Sequence, residues 1–208
     1  SLTGNAGTDA NVNFIGTTDD RAVVFKMNNS MAGLLNNSNT AFGYGSLYNA
    51  SLDTGLYGFG NGLGNAAFGS NSLGNNTTGG ANNAFGQEAL RLNTIGSFNN
   101  AIGYNALNSN TTGSNNVAIG HQALMGNTTG SANCAIGTEA LLSNTAGYNN
   151  VANGYKALNS NTTGIENTAI GSGSLTFNTI GNDNTANGFN TLAKNTTGSY
   201  NVANGYQA

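Results

Sequence analysis

Apolar and polar residues alternate along this chain in short runs, and the runs return on a fixed beat. Val117-Ala118-Ile119 is one such run, bounded by Asn116 and Gly120. Asn100-Ala101-Ile102, Cys134-Ala135-Ile136 and Thr168-Ala169-Ile170 hold the equivalent places. Alternation of this kind predicts a strand, whose successive side chains point to opposite faces. A glycine closes each run, at Gly69, Gly86, Gly103, Gly120, Gly137, Gly154, Gly171, Gly188 and Gly205, which is eight consecutive spacings of 17 residues. Leucine stands four residues after each anchor glycine from Leu73 to Leu192, an Asn-Thr pair begins seven residues after it, and a second glycine falls ten residues after it. A register this strict predicts one coil stacked on an equivalent coil. The fold class expected is an all-β solenoid, a parallel β-roll with 17-residue coils.

The unit 116–132 predicts two short strands, at 116–119 and 122–125. Gly120 and Gly130 would supply bends or positive φ, which glycine adopts at the lowest cost. Coils pairing as parallel strands about 4.8 Å apart would stack equivalent side chains on themselves. The alanines from Ala84 to Ala203 would mark a close approach of two sheets. The asparagines from Asn99 to Asn201 would pass amide hydrogen bonds from coil to coil. The expected core of each coil is one Leu, one Ile or Phe and a few small residues. At about 25 cal/mol per Å² of apolar burial, such a core is thin for so many ordered residues. Association of several chains is therefore expected, burying the second face of each strand.

One column changes character. The residue before the anchor glycine is Phe42, Phe59, Phe68 and Phe85, then Ile102, Ile119 and Ile136, then Asn153, Ile170, Asn187 and Asn204. On a symmetry axis these asparagines would meet their own copies, around water or an ion; otherwise they would satisfy backbone groups. The front of the chain lacks the period, so residues 1–38 are expected to form a β capping segment and 39–208 the repeat domain. Within residues 13–29 a strand, a polar turn and a second strand are expected. The register slips once: Gly43 to Gly60 is 17 residues but Gly60 to Gly69 only nine. Half a coil is absent from that count, and an irregular stretch is expected at about 58–69, with its turn at Asn61–Asn65.

Composition narrows the function. With 32 glycines and 41 asparagines in 208 residues, helix is disfavoured. Thirteen ionised side chains with a net charge of −3 form no basic patch, so nucleic acid is not an expected partner. No stretch approaches the roughly 18 apolar residues of a membrane span. The chain stops inside a repeat, at Tyr206-Gln207-Ala208, and reads as a piece of a longer protein. Cys134 is the only cysteine and His121 the only histidine, so neither a disulfide framework, a His-based metal cluster nor a triad has material to build on. Cys134 reads as a small buried hydrophobe. Glu88 and Glu139 share a column three coils apart, roughly 14 Å by strand spacing, too far for paired acid–base work. Glu139 and Lys156, one coil apart, are expected to form a surface pair. Asp53 and Asp183 stand among neutral residues and offer at most a weak calcium site. Sequons such as Asn110-Thr111-Thr112 recur because the repeat does. No catalytic residue, metal or cofactor is expected.

The strongest binding candidate is the column just after the anchor glycine: Tyr44, Tyr104, His121, Tyr155, Phe189 and Tyr206. Facing solvent, such rings could stack on sugar faces; alternatively they pack across a subunit interface. Positions that break the repeat, Asn61–Asn65, Arg91, Met125, Phe177 and Lys194, are where specificity would sit.

The step Asn-x-Ala-Ile-Gly, at 99–103, 116–120, 133–137 and 167–171, resembles the head repeats of trimeric autotransporter adhesins, the YadA-like family. The resemblance covers roughly residues 39–208. It implies a left-handed parallel β-roll and a side-by-side homotrimer. Gly-Thr-Thr-Asp at 16–19 and Val-Phe-Lys-Met-Asn-Asn at 24–29 are similar to segments that precede such repeats in long fibre proteins, including phage-type tail fibres. The chain departs from the adhesins in its longer repeat with Asn-Thr-Thr-Gly, and it shows neither a coiled-coil stalk nor a membrane-anchor barrel. The function implied is a non-enzymatic fibre or adhesin head segment that attaches to a surface, cell or glycan receptor. Its location would be extracellular, on a cell surface or virion fibre. Two alternatives stand: an ice-binding solenoid, on the Thr column from Thr94 to Thr196 and a second column broken by Ile95, Ala146 and Ile180, or a purely structural filament.

Overall fold

The computed structural model describes residues 23–28, 30–36, 39–47 and 62–208. Among these residues there is no helix. Twelve strands among the described residues form one sheet in chain order: β1 (Val23–Met27), β2 (Ser30–Leu35), β3 (Thr40–Phe42), β4 (Ala66–Phe68), β5 (Asn83–Phe85), β6 (Asn100–Ile102), β7 (Val117–Ile119), β8 (Cys134–Ile136), β9 (Val151–Asn153), β10 (Thr168–Ile170), β11 (Thr185–Asn187) and β12 (Val202–Asn204). From β3 onward every pair is parallel and in register, with Ala118 opposite Ala101 and Ala135. The chain is a β-solenoid whose coils are one repeat long.

Each coil contains one strand, not two. Residues 121–126 form a turn instead of the expected second strand. Gln122 and Leu124 sit at φ 57° and 53°, and Leu73, Leu90, Leu107, Leu141, Leu158, Leu175 and Leu192 adopt the same left-handed conformation. That conformation costs an L-residue about 1–2 kcal/mol. Glycine would avoid the cost but would leave the interior empty. Leu124 is fully buried, and burial of a leucine contributes about 1.5–3 kcal/mol, so the side chain wins over the backbone preference. The turn is tied to the next coil by Leu124 N–H to the Ala140 carbonyl at 3.0 Å and Gly126 N–H to the Leu142 carbonyl at 2.8 Å.

The Ile or Phe expected in the core of each coil lies instead on the outer face. The middle alanine of each triplet points inward and is fully buried, with one full column from Ala41 to Ala186. Ile102, Ile119, Ile136 and Ile170 point outward and are 37–46% exposed. The interior holds the alanines and leucines at one end and asparagines at the other. The described residues form one sheet, and among them the alanine column faces a wall of turns, not a second sheet.

The asparagine half of the interior is a closed hydrogen-bond network. Asn116 donates from Nδ2 to Asn99 Oδ1 at 3.1 Å and to the Gly130 carbonyl at 2.9 Å. Its own Oδ1 accepts from the Asn133 backbone N–H at 3.0 Å and from Asn133 Nδ2 at 3.2 Å. Asn127, in the second column, donates to Asn110 Oδ1 at 2.8 Å and to the same Gly130 carbonyl at 2.9 Å. Two amide ladders thus converge on one carbonyl in each coil, and the buried amides are satisfied. This explains the second glycine. A Cβ at Gly130 would stand 2.4 Å from Asn127 Oδ1 and 2.4 Å from the Gly147 carbonyl oxygen. Gly120 serves differently, turning the chain at φ +133°.

β1 and β2 form an antiparallel hairpin, and β2 pairs antiparallel with β3. The turn at Asn28 therefore follows the strand expected to end the hairpin, and residues 13–22 lie outside the described residues. The early slip of register also has a different form. Gly43 and Gly69 are 26 residues apart, yet Phe42 pairs directly with Phe68. One coil carries nine extra residues; no half coil is missing. Residues 48–61, including Phe59 and Asp53, lie outside the described residues, while Asn65 already joins the amide ladder through Asn82 N–H at 2.9 Å.

Candidate functional site

Two aligned surfaces remain once the interior is accounted for. The first is the outer face of the sheet. Its columns are Phe42, Phe68, Phe85, Ile102, Ile119, Ile136, Asn153, Ile170, Asn187 and Asn204 on one side, and Thr40, Ala66, Asn83, Asn100, Val117, Cys134, Val151, Thr168, Thr185 and Val202 on the other. Neither column contains an ionised side chain. Rings meet along its N-terminal part, tilted for Phe25–Phe42 at a centroid distance of 5.7 Å and stacked for Phe42–Phe68 at 5.8 Å and Phe68–Phe85 at 5.0 Å. Cys134 lies on this face, half-buried, and not in the core. The sequence reading missed the face because it sent the large member of each triplet inward.

The second surface is the column after the anchor glycine, which borders the first. Tyr104, Tyr155, Phe189 and Tyr206 are 44–73% exposed, and His121 is exposed as well. Tyr104 stacks on His121 at 5.5 Å with planes 13° apart, and Phe189 stacks on Tyr206 at 5.3 Å and 13°. Each of these rings covers part of its neighbour, so the column presents ring pairs instead of free ring faces. Tyr155 stands alone between Thr138 and Ser172. Lys156 Nζ lies 5.2 Å from its ring centroid and 3.4 Å from Glu139 Oε2. The Tyr155 hydrogen bond and the Glu139 charge together raise the Lys156 pKa above its ordinary 10.5. The pair is solvent-exposed, so its contribution to stability is small.

The repeat-breaking residues are scattered. Arg91 lies 4.0 Å from Glu88 on its own turn, Phe177 is exposed, and Met125 is half-buried. Asp183 occupies a left-handed position at φ 55°. Among the described residues no three His, Cys, Asp or Glu side chains come together as a metal site. The first Thr column runs along the opposite turn, and its hydroxyls from Thr94 to Thr179 each donate to the Thr carbonyl of the next coil, as Thr111 Oγ1 does to the Thr128 carbonyl at 3.0 Å and Thr128 Oγ1 to the Thr145 carbonyl at 3.0 Å.

No helix among the described residues is long and apolar enough to cross a membrane. No protein-family model matches the chain, and neither a curated protein nor a solved structure matches it significantly.

Proposed function

We propose that this chain is a non-enzymatic segment of a homotrimeric extracellular fibre, built for attachment to a cell, surface or glycan in the manner of the adhesin heads it resembles. The observation that carries the reading is the division of labour in each coil. Buried amides and the backbone are consumed in holding coil to coil, and what remains outside is a neutral apolar strand face beside an aromatic column. An unpartnered apolar face of this kind supports association. A rigid array of identical coils supports weak, multivalent attachment, in which several modest contacts act together.

Native mass spectrometry of the chain tests the assembly, with a trimer expected and a stable folded monomer refuting it. Alanine at Tyr104, Tyr155 and Tyr206 then tests the attachment surface in a glycan-array or cell-adhesion assay. Loss of adhesion with an unchanged oligomer assigns binding to the column, whereas loss of the oligomer assigns it to the interface. The first Thr column gives its hydroxyl protons to the next coil from Thr94 to Thr179, and the second is broken by Ile95, Ala146 and Ile180, so the pair makes too irregular a donor array to favour ice binding. A thermal-hysteresis measurement checks this.

A further inference from the structure

We propose that Asn153, Asn187 and Asn204 set the axial register in which copies of this chain associate through the outer strand face. The proposal rests on the association put forward above and adds what makes it unique.

A periodic face has a problem that a globular interface lacks. Its ladder repeats every coil, about 4.8 Å, so a neighbouring copy displaced by one coil meets almost the same surface. Stacked Ile against stacked Ile provides attraction without position, as an all-apolar seam does in a coiled coil, where a single polar residue specifies the alignment. Here the interruption is aperiodic. Positions 153, 170, 187 and 204 read Asn, Ile, Asn, Asn. Displacement by one coil sets Asn153 against Ile170 and Ile170 against Asn187.

The three amides are in a condition to enforce this. Asn153, Asn187 and Asn204 are exposed on the strand face. None of the three side chains makes a hydrogen bond to any described residue. Asn187 and Asn204 are directly opposed in the sheet, yet their amides do not bond. On the same face Asn83 Nδ2 does reach Asn100 Oδ1, at 2.7 Å. An amide carries both donor and acceptor, so copies of one asparagine can satisfy each other around a symmetry axis. Against isoleucine the same amide is buried without a partner, which is the costly outcome.

A second copy fits the face better than another occupant does. The face carries no charge to attract a charged partner or to repel its own copy. Ten strands about 4.8 Å apart and about 10 Å wide give roughly 430 Å² of flat area, and the bordering aromatic column extends it toward the roughly 800 Å² per partner of stable interfaces.

The test is self-sorting. The double variant Ile170→Asn, Asn187→Ile keeps the composition of the face and moves one amide by one coil. Wild type and variant are co-expressed with tags of different mass and read by native mass spectrometry. Each is expected to form its own oligomer, with mixed species at least about five-fold below random statistics. Random mixing overturns the proposal, as does a folded variant that no longer self-associates. Should that variant not fold, Ile136→Asn, Asn153→Ile poses the same question two coils earlier. A monomeric wild type overturns the association itself, an outcome distinct from random mixing of oligomers.

Discussion

Replacing Asn116 by alanine probes the amide ladders where their accounting is complete. The side chain takes part in four hydrogen bonds of 2.9–3.2 Å. After truncation the Gly130 carbonyl keeps Asn127 and Asn99 Oδ1 keeps the Asn116 backbone N–H at 3.0 Å. The loss falls on Asn133, whose backbone N–H and one Nδ2 hydrogen are left buried without acceptors. Each orphaned donor costs about 1–3 kcal/mol, so the variant is expected to lose about 2–6 kcal/mol. For a chain of this size that corresponds to a fall in Tm of roughly 4–24 °C. Asn127→Ala, which orphans one donor and one acceptor of the second ladder, is expected to be less severe. Asn100→Ala, on the outer face with a single side-chain bond from Asn83, should change stability by about 1 kcal/mol or less. Circular dichroism melts of the three variants provide the measurement. If Asn116→Ala and Asn100→Ala melt together, the interior amides do not hold the coils.

Leu124→Ala removes a fully buried side chain from the turn wall and should cost about 2–5 kcal/mol per chain in urea denaturation; a change below about 1 kcal/mol would contradict the core assignment. Ser174 Oγ is buried without a partner, at a position filled by Ala157 in the preceding coil. Ser174→Ala should therefore raise stability by about 1 kcal/mol, read as a higher melting temperature. The sequon asparagines Asn110, Asn127 and Asn161 are fully buried. Expression through a glycosylating secretory host should give either unmodified folded chain or glycosylated chain that is protease-sensitive, and a protease-resistant fraction carrying glycan at Asn127 would refute the placement.

Much of the interior is legible in the sequence. The first strand of each coil, the leucine column and the Asn99–Asn201 ladder follow from period and alternation alone, whereas the strand expected at 122–125 is a turn. Three features do not, each for a physical reason. Alternation separates two faces of a strand without saying which is inside, and here the interior admits only alanine opposite leucine. The left-handed leucines are invisible because no local preference favours them; only the interior they fill does. The nine-residue excess between Gly43 and Gly69 reads as a shortened repeat because Phe59-Gly60 mimics the anchor step, and only the pairing of Phe42 with Phe68 corrects it. The aromatic column was legible as a column, but its ring-on-ring stacking depends on a coil-to-coil spacing that sequence does not carry. The unsatisfied amides of Asn153, Asn187 and Asn204 stand out only beside the satisfied ones.

The way each coil closes its hydrogen bonds on its neighbour has a consequence for inheritance. A coil hands on the same pattern of donors and acceptors that it receives, so recombination between gene repeats can delete or duplicate a whole unit and leave both flanking units bonded as before. Length then varies in steps of one unit, about 4.8 Å of rise each, without any new packing problem to solve. Extra residues need not respect that step if they stay within one coil, as the nine between Gly43 and Gly69 do before Phe68 resumes the ladder. Lineages carrying this chain are therefore free to adjust reach by copy number and to acquire insertions at a single coil, two kinds of change that leave the amide ladders untouched.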